Sequence, residues 1–149
     1  MTSGVPIPDY MPTLRQLIRC TQAFERFSGA HVKKMGLTES QFDVVATLGN
    51  TSGMTCKELG ERTLITKGTL TGVLDRMEAR GLVSRKADAD DARRTHIALT
   101  RKGGVLFDEA FPAHMLHLQR AFERIPAGEL VQLNNHLSDL RLAFEEAQV

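Results

Sequence analysis

The architecture of this protein follows from residues 55–80, TCKELGERTLITKGTLTGVLDRMEAR. Thr55 and Glu58 have the spacing of a capping box, in which two side chains satisfy free backbone N–H groups at the start of a helix. A short helix is therefore expected to begin directly after Thr55. Residues 63–66 supply a turn and a new N-cap, and a second helix is expected over Lys67–Arg80. Two helices joined by a four-residue turn predict a helix-turn-helix unit.

The outer face of the second helix has an unusual composition. By helical periodicity, the side opposite its apolar stripe carries Gly68 and Gly72. A glycine in a helix costs about 1 kcal/mol relative to alanine, so two of them on an exposed face indicate close approach of a large rigid partner. A poorly optimised surface helix is the alternative. We predict a recognition helix in a DNA major groove, with contacts from Thr66, Lys67, Gly68, Thr69, Thr71 and Arg76.

A β-hairpin is expected directly after the recognition helix. Residues 82–87 and 95–99 are short and strand-like, and the polar segment 88–94 separates them. Arg93 lies at the expected tip, where an arginine can enter a narrow minor groove, and Asp91 is near enough in sequence to orient it. A solvated charged loop is the alternative interpretation. The expected phosphate contacts of this wing are Arg85, Lys86 and Arg94.

Further helices are expected on both sides of the winged unit. The first spans about residues 11–35, and a capping box at Thr38–Gln41 starts the next. After the hairpin, Thr100 caps a helix in which Pro112 predicts a kink, and Pro126 opens a last helix. The last helix carries a narrow apolar seam, which packs either within the chain or across a dimer: Leu130, Leu133, Leu137, Leu140 and Phe144.

The charge distribution favours an anionic partner for the middle of the chain. The net charge is only +1. Residues 57–102 hold eleven Lys/Arg against seven Asp/Glu, whereas residues 103–149 hold three against seven. Charges farther apart than a Debye length, about 8 Å at physiological salt, are largely screened, so the basic middle attracts phosphate locally.

The sequence shows no pattern of secretion, of a membrane span or of catalysis. Residues 1–11 lack a basic start followed by an apolar run, and no window approaches the roughly 18 apolar residues of a span, so a cytoplasmic protein is expected. No phosphate loop, zinc-binding His-Glu-x-x-His or nucleophile elbow occurs, so we expect neither enzyme activity nor a cofactor. Cys20 and Cys56 lack the spacing of metal ligands or of a disulfide scaffold.

Taken together, these motifs resemble the MarR family of regulators. The resemblance implies a mainly α (α+β) winged helix-turn-helix with N- and C-terminal dimerisation helices. It implies a single domain over residues 1–149, with dimerisation helices at 11–35 and 104–149 and a DNA-binding lobe at 37–100. It rests on the order and spacing of Leu37-Thr38 with Gln41-Phe42, Leu59-Gly60-Glu61-Arg62, Gly68-Thr69-Leu70-Thr71, Leu74-Asp75-Arg76-Met77-Glu78, Gly81-Leu82-Val83, Asp91-Ala92-Arg93, and Leu99-Thr100 with Gly103.

The same resemblance implies how such a protein works. We expect a homodimer that binds a pseudopalindromic operator on double-stranded DNA and acts as a repressor. By analogy, Arg93 is the wing arginine and Asp91 is its partner. A winged-helix module that binds other proteins is the rival class.

Three kinds of switch are compatible with the sequence. A small lipophilic or aromatic-acid effector is the first, and its candidate site residues are equally typical of a plain core. A redox switch at Cys20 and a metal switch at His114 and His117, with His31 or Cys20 nearby, are the alternatives. The candidate effector-binding residues are Phe24, Phe27, Phe42, Phe107, Phe111 and Met115.

Overall fold

A computed structural model describes residues 4–148 and confirms a mainly helical, winged architecture. No helix within these residues combines the length and the apolar character needed to cross a bilayer. The elements in chain order are α1 (Met11–Lys34), α2 (Glu39–Leu48), β1 (Met54–Thr55), α3 (Cys56–Arg62), α4 (Lys67–Ala79), β2 (Val83–Ala87), β3 (Thr95–Leu99), α5 (Arg101–Phe122) and α6 (Ala127–Glu146).

The helix starts lie where the capping signals predict them. At α2, the Gln41 N–H donates to the Thr38 hydroxyl and the Thr38 N–H donates to the Gln41 side chain, both at 3.1 Å. At α3, the Glu58 N–H donates to the Thr55 hydroxyl at 3.2 Å and the Thr55 N–H donates to the Glu58 carboxylate at 2.9 Å. Both capping boxes are confirmed. Pro126 is the N-cap of α6 and not its first helical residue, a shift of one position from the prediction.

The predicted hairpin is part of a three-stranded antiparallel sheet of order β1-β3-β2. Strand β1 was not predicted, because its two residues are too few to show an alternating pattern. It pairs Met54 with Ile97, and Gly53 precedes it with a φ of 99°. A side chain at Gly53 would collide with the Ile97 carbonyl, at 2.5 Å from the added Cβ, so only glycine lets this strand reach β3.

The chain forms two compact units, one ending at His114 and the other beginning at Met115. The core of the first unit gathers apolar side chains from α1 to α5. Its most deeply buried members include Val32, Val44, Val45, Leu48, Leu59, Leu70, Leu74, Met77, Leu82 and Ile97. Burial of this surface fixes how α2, α3 and α4 pack beneath the sheet.

The second unit holds the end of α5 and all of α6. No residue of α6 is buried, and the predicted seam residues Leu133, Leu137 and Phe144 are exposed. Pro112 lies inside α5, as the sequence predicts, and the helix continues past it, so the kink stays a prediction.

Candidate nucleic-acid interface

The glycine-bearing face of α4 points away from the protein. Leu70, Val73, Leu74 and Met77 on its opposite side are buried in the core. A Cβ built on Gly68 would meet nothing within 4 Å, and one built on Gly72 would meet only the guanidinium of Arg76, at 3.4 Å. The face is therefore open to a partner, as the sequence predicts.

The N-terminal end of α4 presents hydroxyl groups and backbone N–H groups that no side chain caps. Thr66 is the N-cap, but its hydroxyl donates to the Thr69 hydroxyl at 3.0 Å and caps no backbone N–H. The first N–H groups of the helix lack that side-chain acceptor, and such an end favours an anion. Lys67 and Thr71 are exposed on the same end and flank. These groups can meet phosphates and base edges together.

A hydrogen bond to a side chain of α2 fixes the turn between α3 and α4. The Leu64 N–H donates to the Asp43 carboxylate at 2.9 Å, and the other oxygen of Asp43 accepts from the Thr47 hydroxyl at 3.5 Å. Sequence reasoning missed Asp43 and Leu64. The only signal was an apolar residue inside a predicted turn, and it does not reveal a bond across 21 positions of the chain.

Asp91 organises the wing differently from the prediction. Its carboxylate accepts from the backbone N–H of Arg93 at 3.0 Å and lies 3.7 Å from the Arg94 guanidinium. It therefore shapes the backbone at Arg93 and pairs with Arg94, and no bond to the Arg93 guanidinium is seen within residues 4–148. The carbonyl of Asp91 also accepts from the Arg94 N–H at 2.9 Å, which closes the turn. Arg93 is exposed.

Arg85 belongs to the scaffold and not to the free cationic surface. Its guanidinium lies 2.7 Å from the Asp75 carboxylate and 3.0 Å from that of Glu78, so it ties β2 to α4. The hydrogen bonds that Arg85 donates to the Glu78 and Asp75 carboxylates raise the pKa of Arg85, and the bonds to Glu78 lower the pKa of Glu78. The phosphate contact expected of Arg85 stays a prediction, and its two ion pairs weigh against it because both carboxylates compete for the guanidinium. Lys86, the next residue, is exposed.

A polar cleft of about 470 Å³ lies between the start of α3 and the base of the wing. The pKa of Glu58 is lowered here by the hydrogen bonds from Thr55. Cys56, in the same cleft, is half-buried. The lining residues are Thr55, Cys56, Lys57, Glu58, Glu61, Arg93, Arg94 and Thr95.

A buried polar cluster joins α1 to α5. The imidazole of His114 is only 2% exposed; its Nε2 lies 3.1 Å from the Ser28 hydroxyl and its Nδ1 lies 2.9 Å from Nδ1 of His31. The two imidazoles stack at 5.1 Å, and Phe42 contacts His114 edge-on at 4.5 Å. His31 does approach His114, as the metal alternative requires. Within residues 4–148, however, no three His, Cys, Asp or Glu side chains are grouped to hold an ion.

The predicted effector residues do not share one environment. Phe42 and Phe107 are core residues, and Phe107 stacks on Phe111 at 5.1 Å, so their assignment to a ligand pocket stays a prediction. Phe24 on α1 is 48% exposed, whereas Phe27 is half-buried. Met115, in the second unit, is 38% exposed. The redox candidate Cys20 is exposed on α1.

A short helix, a tight turn, an exposed glycine-bearing helix and an arginine-tipped hairpin define a winged helix-turn-helix DNA-binding regulator. Comparison with known proteins agrees. A model described as MarR family matches residues 35–94. The homoprotocatechuate degradative operon repressor of Escherichia coli is 32% identical over 131 residues, which cover 86% of this chain and 86% of that protein. The chain belongs to the MarR family.

Solved structures show the same fold. AbsC, a MarR family transcriptional regulator from Streptomyces coelicolor, matches with a TM-score of 0.86 at 20% identity, over 96% of this chain and 99% of that one. A mutant of MarR from Escherichia coli, complexed with operator DNA, matches with a TM-score of 0.79 at 22% identity, over 90% of this chain and 99% of that one. The family match and the similarity to the Escherichia coli repressor identify the protein as a DNA-binding transcriptional regulator.

Proposed function

We propose that the protein binds a pseudopalindromic operator as a homodimer, with α4 in the major groove and Arg93 in the adjacent minor groove. The observation that carries this proposal is the open side of α4, where an added Cβ at Gly68 meets nothing within 4 Å. The proposed DNA-contacting residues are Thr66, Lys67, Gly68, Thr69, Thr71, Arg76, Lys86, Arg93 and Arg94, with Asp91 shaping the wing and Arg85 acting only through α4 and β2.

The homodimer is supported by apolar surface that a single chain leaves uncovered. Leu133, Leu137 and Phe144 of α6 are 43%, 50% and 52% exposed and follow the spacing of lengthwise helix packing. One helix-turn-helix covers little of a groove, and two copies read half-sites about one helical turn apart. We infer that residues 1–149 act as one MarR-like domain, with the lobe at 37–100 and dimerisation helices at 11–35 and 104–149.

Repression and release by a small molecule complete the proposal. The Escherichia coli relative is named as a repressor. BpsR from Bordetella bronchiseptica, a protein of similar fold, has its DNA binding regulated by 6-hydroxynicotinic acid. We propose a lipophilic or aromatic-acid effector for this chain, action in the cytoplasm, and a role in binding and not in catalysis.

Fluorescence anisotropy on duplexes selected from a random pool tests the proposed function. DNA affinity is expected to fall steeply with salt, because phosphate contacts release counterions, whereas a protein-binding module would show no such slope. Arg93→Ala is expected to cost about 1–3 kcal/mol of binding free energy. Arg141→Ala on α6, where Arg141 pairs with Glu145 at 2.8 Å, is the matched control. Equal affinities for the two variants would contradict the wing assignment.

A further inference from the structure

Leu64 is an apolar side chain with nothing to cover it. It is 96% exposed, more than any other large apolar side chain that the structure describes as exposed. It lies in the turn between α3 and α4, two positions before Thr66, the N-cap of α4. An isolated surface leucine needs no explanation by itself. Whether the exposure of Leu64 indicates a binding contact therefore depends on its location and on how rigidly it is held.

The location of Leu64 separates it from the other exposed apolar residues. Those residues lie on the N-terminal segment, α1, α5, the turn between α5 and α6, and α6. Within residues 37–100, all of which the structure describes, Leu64 is the only large apolar side chain in this class. A second copy of the chain can cover the helices proposed to form the dimer. Leu64 belongs instead to the lobe proposed to face DNA, which makes the DNA its expected partner.

The backbone on both sides of Leu64 is anchored. Its own N–H donates to the Asp43 carboxylate at 2.9 Å. The preceding Thr63 is buried, with its hydroxyl donating to the Leu59 carbonyl at 2.8 Å, and the following Ile65 packs against the core. A side chain held outward between two anchored neighbours has already lost the backbone entropy of a free loop. Contact with a partner is correspondingly less costly.

We propose that Leu64 of each protomer contacts the 5-methyl group of a thymine in the operator half-site. This inference rests on the proposed placement of α4 in the major groove. The thymine methyl group is the one apolar group that base edges display there. Base-edge contacts are made from the N-terminal end of a recognition helix, and Leu64 lies two positions before the N-cap of α4. Leu64 therefore contributes to sequence preference by an apolar contact.

The test replaces thymines by deoxyuridine, which lacks only the methyl group. A duplex that the wild-type protein selects from a random pool is prepared with each thymine replaced in turn, symmetrically in both half-sites. Losing one buried methyl contact is expected to weaken binding about fourfold per half-site. The wild type should show this loss at one thymine per half-site. Leu64→Met should show the same loss on deoxyuridine replacement. Leu64→Ser should bind the unmodified duplex more weakly than the wild type and should lose no further affinity on that deoxyuridine duplex.

The outcomes separate this inference from the proposed function. If the wild type binds no duplex, the proposed function itself fails. If it binds but tolerates deoxyuridine everywhere, or if Leu64→Ser keeps the full deoxyuridine penalty, the methyl contact is refuted. An equal weakening of Leu64→Ser on every duplex would indicate a sugar–phosphate contact and would also overturn the proposal. Because Leu64 is exposed, thermal unfolding of the variants should match that of the wild type.

Discussion

The Nδ1 atoms of His31 and His114 are 2.9 Å apart, inside a cluster that also includes Ser28 and Phe42. One imidazole must donate to the other at this distance, since two ring N–H groups facing each other would repel. Both ring nitrogens of the buried His114 therefore have partners. The pair joins α1 to α5 through polar contacts where the surroundings are largely apolar.

The first prediction concerns this buried link. His114→Ala removes a ring that is 2% exposed and leaves Ser28 without its partner at His114, so the free energy of unfolding should fall by about 2–4 kcal/mol. Urea unfolding at a fixed protein concentration measures it. His136→Ala, at an exposed position of α6, is the control and should change stability little. A His114 variant as stable as the control would show that the cluster contributes nothing.

The second prediction is that a substitution at Gly72 raises stability and lowers DNA affinity. Gly72→Ala should raise the free energy of unfolding by about 1 kcal/mol, because the new methyl group meets only the movable end of Arg76. The same methyl group stands on the face proposed to enter the groove, so operator affinity should fall in an anisotropy titration. Gly104→Ala on α5, where a Cβ also has open space, should stabilise without that loss. Undiminished affinity in Gly72→Ala would mean that this face does not approach DNA closely.

The third prediction treats Asp43 as a positioning residue for the turn before α4. Asp43→Ala removes the acceptor of the Leu64 N–H, and operator affinity should fall by about 1–2 kcal/mol because the turn loses its tether. Asp43→Asn keeps a side-chain oxygen at this position and should restore most of the affinity. Circular dichroism should show unchanged helix content in both. Failure of Asn to rescue would argue that the negative charge, and not the hydrogen bond, matters.

The fourth prediction is a pH dependence of stability. Hydrogen bonds from Thr55 lower the pKa of Glu58 in the folded state below its ordinary value of 4.5. The unfolded chain therefore takes up the proton first. The stabilisation is fully present above this ordinary value and is lost as the pH falls through the lower, folded-state pKa.

Replacement of Glu58 should reveal that contribution. Glu58→Gln should flatten the fall in unfolding free energy below about pH 4.5, measured by urea unfolding across a pH series. Glu61→Gln, on the same helix but outside the capping box, is the control variant. An identical acid profile for Glu58→Gln and the wild type would remove the capping box as the source of this pH dependence.

Local signals predicted much of the fold. A capping box such as Thr38 with Gln41 acts within one helical turn, so its spacing alone places a helix start. Strand β1 was not predicted, because its two residues form a strand only by pairing with β3, which is distant in sequence. The same limit applies to Arg85, whose partners Asp75 and Glu78 lie across an element boundary. From the sequence alone, a basic residue in a wing predicts a contact with a DNA phosphate. Only the folded structure identifies carboxylate partners that compete for that residue.

By itself, the sequence determined the order of the helices, the winged helix-turn-helix and the exposure of Gly68 and Gly72, because periodicity and capping chemistry act between residues close along the chain. Only the tertiary structure decided which cations remain available and that Leu64 is held outward. Those properties depend on contacts between residues distant in sequence, and packing selects such contacts for the folded chain as a whole.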